Sequence, residues 1–174
     1  RYEAPQAGRQ REFTQAGVEL IGAGTPGADA EVLALTVEAL RAAGLRQFQL
    51  SLGQMAFFRG LLAELDAPAP VLGALQSAID RKNPADLAAA LDQATSSEPL
   101  RYAFSALPQL NGGPQVLHQG RAICVNPAME AALDWLDALH ELLAAYGVLD
   151  HITFDLGETR GMAYYTGITF KGYT

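Results

Sequence analysis

The chain has 174 residues, 49% of them hydrophobic, which is enough to bury a sizeable core in one domain, and no apolar run approaches the roughly 18 residues of a membrane-spanning helix. Acidic residues outnumber basic ones by 19 to 12, and the formal net charge of -7 disfavours a general nucleic-acid binder, whose phosphate contacts need a basic face. Cys124 is the one cysteine, so no internal disulfide can form, which fits a cytoplasmic protein. Because it lies in the apolar run Ala122-Ile123-Cys124-Val125, it is read as a packed thiol and not a nucleophile. The N-terminus is polar, carries no apolar signal stretch and lacks an initiator Met, so the chain is read as a fragment of a longer protein.

Residues 1 to 22 read as a polar hairpin. Pro5 and Gly8 mark a turn with an arginine-tipped loop, and an extended strand from Arg11 to Leu20 would place Arg11, Phe13, Gln15, Gly17 and Glu19 on one face. Gln15 and Glu19 would then point the same way. Arginine forks match carboxylate and phosphate oxygens, so this is a candidate ligand surface, although an exposed sheet face would carry the same residues.

Thr25-Pro26-Gly27 breaks that element, and a helix is expected over Ala28 to Ala43 with Asp29 in its first turn. Val32, Leu35, Ala39, Leu40 and Ala43 form its expected buried face, and Gly44 ends it. Gln47 to Leu52 alternates as a strand that Gly53 breaks, and Met55 to Leu65 reads as a helix with Met55, Phe57 and Phe58 in the core. From about residue 67 to 120 the chain becomes Ala/Leu-rich and is cut repeatedly by proline, which predicts a small insertion of short helices. Asn83-Pro84 is a clean helix start, with Asn83 as N-cap.

Asn126-Pro127 repeats that signal ahead of the longest helix, Pro127 to Tyr146, whose buried stripe is Met129, Leu133, Trp135, Leu136, Leu139 and Leu143; Gly147 closes it. Ile152 to Leu156 alternates as a strand, turns at Gly157 and is expected to return as Ala163 to Tyr173. The whole predicts an α+β fold, an antiparallel sheet flanked by helices with a small helical insertion. His118, His140 and His151 are read as structural. No second His or Cys accompanies His118 at metal spacing, and no metal or other cofactor is called.

On chemistry alone the two polar clusters predict a small pocket: Arg160 for a carboxylate, Glu19 for a cation or an imidazole N–H, Gln15 for an amide-type contact, and a hydroxyl from Tyr164 or Tyr165. That set suits an amino acid with a polar side chain.

Arg1-Tyr2-Glu3, Gly8-Arg9-Gln10-Arg11 and Phe13-Thr14-Gln15-Ala16-Gly17-Val18-Glu19 together resemble motif 2 of class II aminoacyl-tRNA synthetases in its histidyl form. Arg160-Gly161-Met162-Ala163-Tyr164-Tyr165 resembles the histidine-specific motif of that lineage, usually Arg-Gly-Leu-Asp-Tyr-Tyr. The segments Gly22 to Val32, Leu107 to Pro114 and Tyr164 to Ile168 are similar to one branch, the regulatory subunits of ATP phosphoribosyltransferase, which are synthetase paralogues.

The resemblance implies a class II synthetase-like fold and a non-catalytic regulatory subunit of histidine biosynthesis. Its implied partners are the short-form catalytic subunit, L-histidine as effector and a second copy in a homodimer, with no membrane or nucleic acid. By that resemblance Glu19 and Tyr165 would recognise the imidazole, Gln15 and Arg160 would contact the amino-acid end, and Arg1, Glu3 and Arg9 would mark the nucleotide side. The alternatives are a histidyl-tRNA synthetase fragment and a fragment that binds nothing. Ala163, Thr14 and the pair Glu158-Thr159 depart from the family pattern, which usually has Asp, His and two apolar residues there. Motif 1 is not recognisable and the chain stops before motif 3, so by itself it is not expected to form an aminoacyl adenylate.

Overall fold

The computed structural model describes residues 14–159 and 164–174. Proline-preceding caps set its helix starts. α1 (Pro26–Ala42) begins where Thr25 Oγ1 accepts from the Ala28 N–H at 3.3 Å. α4 (Pro84–Ala94) begins where Asn83 Oδ1 accepts from the N–H groups of Ala85 and Asp86 at 3.1 and 3.2 Å. α7 (Pro127–Ala145) begins where Asn126 Oδ1 accepts from the Met129 N–H at 3.0 Å. Each such cap satisfies donors that the first helical turn leaves open, and proline at the next position loses nothing because its missing N–H would have had no partner.

The remaining helices are α2 (Met55–Leu62), α3 (Ala69–Asp80), α5 (Glu98–Ala106) and α6 (Gln115–Arg121). The strands are β1 (Gln49–Gln54), β2 (Asn111–Gly112), β3 (Ile152–Asp155) and β4 (Ile168–Tyr173). The prolines cut residues 67 to 120 into short helices as expected, and α7 closes at Gly147, whose φ of +69° a side chain would resist.

The class is α+β with helices covering the sheet, and the described sheet is mixed where an antiparallel one was expected. Its order is β2-β3-β1-β4; β1 pairs parallel with β3 and antiparallel with β4, and β2 pairs antiparallel with β3. The reason is topological. The chain leaves β1 through α2 to α7 before entering β3, and a crossover of that length lets β3 start from the same end as β1. Consequently β4 does not fold back on β3 as a hairpin but lies on the other side of β1, in the register Gly53↔Thr169 and Ser51↔Lys171.

Three further expectations change. Gly53 lies inside β1 and does not end it. α1 buries Ala30, Leu33, Ala34 and Val37 against α7 while Leu35 stands 49% exposed, so the face predicted from Val32 and Leu35 is rotated. That is the face which α7 covers, so the tertiary neighbour and not the local period selects it. Finally, Thr14 to Leu20 is exposed and has no strand assignment, because an extended segment becomes a strand only with a ladder partner and none is formed here among the described residues. The first half of the predicted hairpin lies outside the described residues.

The core gathers Phe57 and Phe58 of α2, Phe104 of α5, Phe154 of β3 and the α7 stripe, all buried. Phe58 and Phe104 meet edge to face, with centroids 6.3 Å apart at 87°. α2 and α7 are locked by Asn126, whose Nδ2 donates to Gly60 O and to Glu64 Oε1, both at 2.8 Å. Trp135 is only partly buried, and its indole N–H donates to Asp29 Oδ2 at 2.8 Å, joining α7 to the first turn of α1.

Candidate ligand site on the sheet

β4 alternates Thr169 and Lys171 on one face with Ile168 and Phe170 on the other. The turn leaving β3 sets Glu158 over Gly53, where a glycine leaves room that any side chain would take. Glu158 is 9% exposed, and Lys171 Nζ donates to its Oε2 at 2.9 Å. Together with Tyr165, Ile168, Thr169 and Phe170 this pair lines an open cleft of about 380 Å³. The Oγ1 of Thr169 is buried and has no hydrogen-bond partner among the described residues, an arrangement that costs about 1–3 kcal/mol unless a polar group meets it. The arrangement suits a small polar ligand: a buried carboxylate paired with a part-exposed ammonium, a hydroxyl, and aromatic surface.

The predicted site residues divide sharply. Tyr165 is 50% exposed and lines the cleft, whereas Tyr164 is 84% exposed and does not; the two rings meet edge to face at 5.1 Å. The Met55 N–H donates to Gly167 O at 3.0 Å, fastening this tyrosine segment to the end of β1. Gln15 and Glu19 are exposed in the irregular segment ahead of α1 and are not among the cleft's lining residues. Arg1, Glu3, Arg9 and Arg160 lie outside the described residues. Sequence reasoning missed Thr169, Lys171 and the role of Glu158; a charged residue replacing an apolar one directly after a buried strand was the available signal.

Other polar groups are structural in their contacts. His151 stacks on Phe48 with centroids 4.1 Å apart, and its Nδ1 lies 2.9 Å from Phe48 O; His140 sits 6.1 Å from the Phe154 ring. Among the described residues no group of three or more His, Cys, Asp or Glu could hold a metal ion. No helix among them is long and apolar enough to cross a membrane. Burial pushes the Cys124 thiol up, with Glu130 adding to the shift, and its Sγ contacts Gly120 O at 3.5 Å. Arg121 is held still more firmly protonated by its hydrogen bonds to Asp137 and Asp134.

A family model described as Histidyl-tRNA synthetase matches residues 1–174. The chain is 43% identical over 173 residues to the ATP phosphoribosyltransferase regulatory subunit of Syntrophotalea carbinolica, covering 99% of this chain and 40% of that protein. It is 42% identical over 174 residues to the protein of the same name from Desulforamulus reducens, covering 99% and 43%. The chain thus spans less than half the length of these curated relatives. Among solved structures it is similar to an ATP phosphoribosyltransferase regulatory subunit/histidyl-tRNA synthetase from Bacillus halodurans, with a TM-score of 0.80 and 30% identity over 87% of this chain and 40% of that one. The fold is shared also with an ATP phosphoribosyl transferase (HisG:HisZ) complex from Thermotoga maritima, with a TM-score of 0.64 and 18% identity over 87% of this chain and 53% of that one.

Proposed function

The chain belongs to the histidyl-tRNA synthetase family, and on that premise we propose that it is the synthetase-like part of a regulatory subunit of ATP phosphoribosyltransferase, acting in histidine biosynthesis without catalysis of its own. The observation that carries this reading is the name borne by relatives that match the chain almost end to end. In this role the full-length protein assembles in the cytoplasm as a homodimer with the short-form catalytic subunit, activates it, and makes it sensitive to L-histidine. Histidine then inhibits only to the extent that it binds one state of the complex better than another.

Gln15, Glu19, Arg160, Tyr164 and Tyr165 are the proposed histidine contacts, and Arg1, Glu3 and Arg9 a vestigial nucleotide side. The cleft beside Tyr165, with its buried Thr169 hydroxyl, supports a polar ligand at this end of β4. The test is phosphoribosyl transfer by a short-form catalytic subunit mixed with the full-length protein, with and without L-histidine. Activation by the protein and inhibition by histidine are expected. No effect on the transferase, together with histidine-dependent exchange of pyrophosphate into ATP, would replace this reading with a histidyl-tRNA synthetase.

A further inference from the structure

One wall of the cleft is fixed from behind. Thr159, the residue after Glu158, is completely buried; its Oγ1 donates to Asp80 Oδ1, and its carbonyl oxygen accepts from Gln76 Nε2 at 3.1 Å. Both partners lie on α3, so the chain is tied down immediately beside Glu158. The Glu158 carboxylate, set in this way, holds the Lys171 ammonium by one hydrogen bond of 2.9 Å, the only bond of that ammonium among the described residues. An ammonium has three donors, so two remain for another acceptor. The Lys171 side chain is 38% exposed and that of Glu158 9%, so the cation is what the pair presents to the cleft.

Thr169 precedes Lys171 by two residues on the same face of β4, about 6.8 Å along the strand. The residue is part-exposed and lines the cleft, yet its Oγ1 is buried and without a hydrogen-bond partner among the described residues. Threonine carries a methyl and a hydroxyl on one carbon, and a single step about χ1 moves the hydroxyl to another staggered position. Because the hydroxyl is unbonded where it stands, that step breaks no hydrogen bond. Donors about 2.8 Å from the two oxygens of one carboxylate fit the span between Thr169 and Lys171. Tyr165, Ile168 and Phe170 supply apolar and aromatic wall for the body of such a ligand.

We propose that the cleft binds the carboxylate of a small ring-bearing organic acid, which accepts hydrogen bonds from the Lys171 ammonium and from the Thr169 hydroxyl, turned about χ1 to reach it. Identifying that acid with L-histidine rests on the proposed function, whereas the carboxylate site rests on the cleft itself. Glu158 is a positioning residue that aims the ammonium and touches no ligand.

The experiment follows the methyl groups of Ile168 and Thr169 by NMR in the full-length protein during titration with L-histidine, histamine and phenylacetate. Histamine keeps the ring and amine of histidine without the carboxylate; phenylacetate keeps a ring and a carboxylate alone. Both acids should move the two methyl signals, and the Thr169 methyl should report the change in χ1. Histamine should bind at least about tenfold more weakly than L-histidine, the scale of one charge-assisted bond. Thr169→Val should weaken both acids about tenfold, while Thr169→Ser stays within about twofold of the wild type. Thr169→Val should also raise the melting temperature of the unliganded protein, because the unbonded hydroxyl is gone. A merely structural threonine would leave affinity unchanged in Thr169→Val, and that result overturns the proposal. Lys171→Gln serves if Thr169→Val fails to fold, and should weaken both acids at least as much. Equal binding of histamine and L-histidine also overturns the carboxylate site. If phenylacetate moves the two signals and L-histidine does not, the identification with L-histidine fails and the carboxylate site stands. If L-histidine binds by calorimetry while neither acid moves them, the histidine reading stands and the carboxylate site fails.

Discussion

Glu158 lies directly on Gly53: a Cβ placed on Gly53 would stand 2.8 Å from the Cβ of Glu158 and 3.2 Å from the Oγ1 of Thr169. The first distance is below any normal carbon contact, and the atom it meets is at the root of its side chain, so it cannot swing aside. Gly53→Ala should therefore push the β3 exit turn off β1 and cost about 1–3 kcal/mol of stability, the range for overpacking a tight site. Urea denaturation of the two proteins measures it; a loss below about 0.5 kcal/mol, the range of neutral surface changes, would show that the turn relaxes freely.

The ion pair above Gly53 is half protected, with the Glu158 side chain 9% and the Lys171 side chain 38% exposed. Such a pair stands between a surface salt bridge and a buried one, so Lys171→Met is expected to destabilise by about 1–3 kcal/mol. Much of that loss comes from leaving the buried carboxylate with less compensation. The double variant Glu158→Gln with Lys171→Met should accordingly lose less than the sum of the single changes, and strictly additive losses in a double-mutant cycle would mean that the two side chains do not act together.

Asn126 performs two tasks with one amide, capping α7 through Oδ1 and joining α2 through Nδ2. Asn126→Asp keeps the cap acceptor and removes the two donations, while Asn126→Ala removes everything. Loss of the cap alone is worth about 1 kcal/mol, so Asn126→Ala should fall to the upper end of about 1–2 kcal/mol once the bond to Gly60 O is also lost. Asn126→Asp should also be destabilised, because a carboxylate is brought against Glu64 and the Gly60 carbonyl. Thermal unfolding of both variants checks the pattern.

Much of this architecture is legible in the chain, for reasons that differ between elements. α4 and α7 announce themselves through Asn-Pro starts, and α7 adds an apolar stripe whose period leaves one choice of face. α1 misleads because leucine, valine and alanine surround it, so periodicity does not select Ala30, Leu33, Ala34 and Val37; the approach of α7 does. Strand partners are beyond local reasoning altogether. Nothing in residues 152–173 states that β4 joins β1 and leaves β3 to pair with β1 and β2, since that choice depends on the route taken by α2 to α7. The cleft is similar: Tyr165 stands in a segment that the sequence singles out, but Thr169, Lys171 and the buried Glu158 become a cluster only when β4 is laid beside Gly53.

Cys124 supplies a pH test with a definite sign. Burial raises its pKa in the folded protein, so the folded state keeps the thiol proton to higher pH than the unfolded chain does. Below the unfolded value of about 8.5 both states are protonated and the full contribution to stability is present. As pH rises past that value the unfolded chain ionises first, and the contribution is lost progressively until the folded thiol ionises too. Stability should fall in this alkaline window in the wild-type protein and fall less in Cys124→Ala, whose apolar side chain has no proton to lose. The same shift predicts slow alkylation: at pH 8 iodoacetamide should modify Cys124 more slowly in the native protein than in urea. Equal rates in the two conditions would show that the thiol is neither shielded nor shifted.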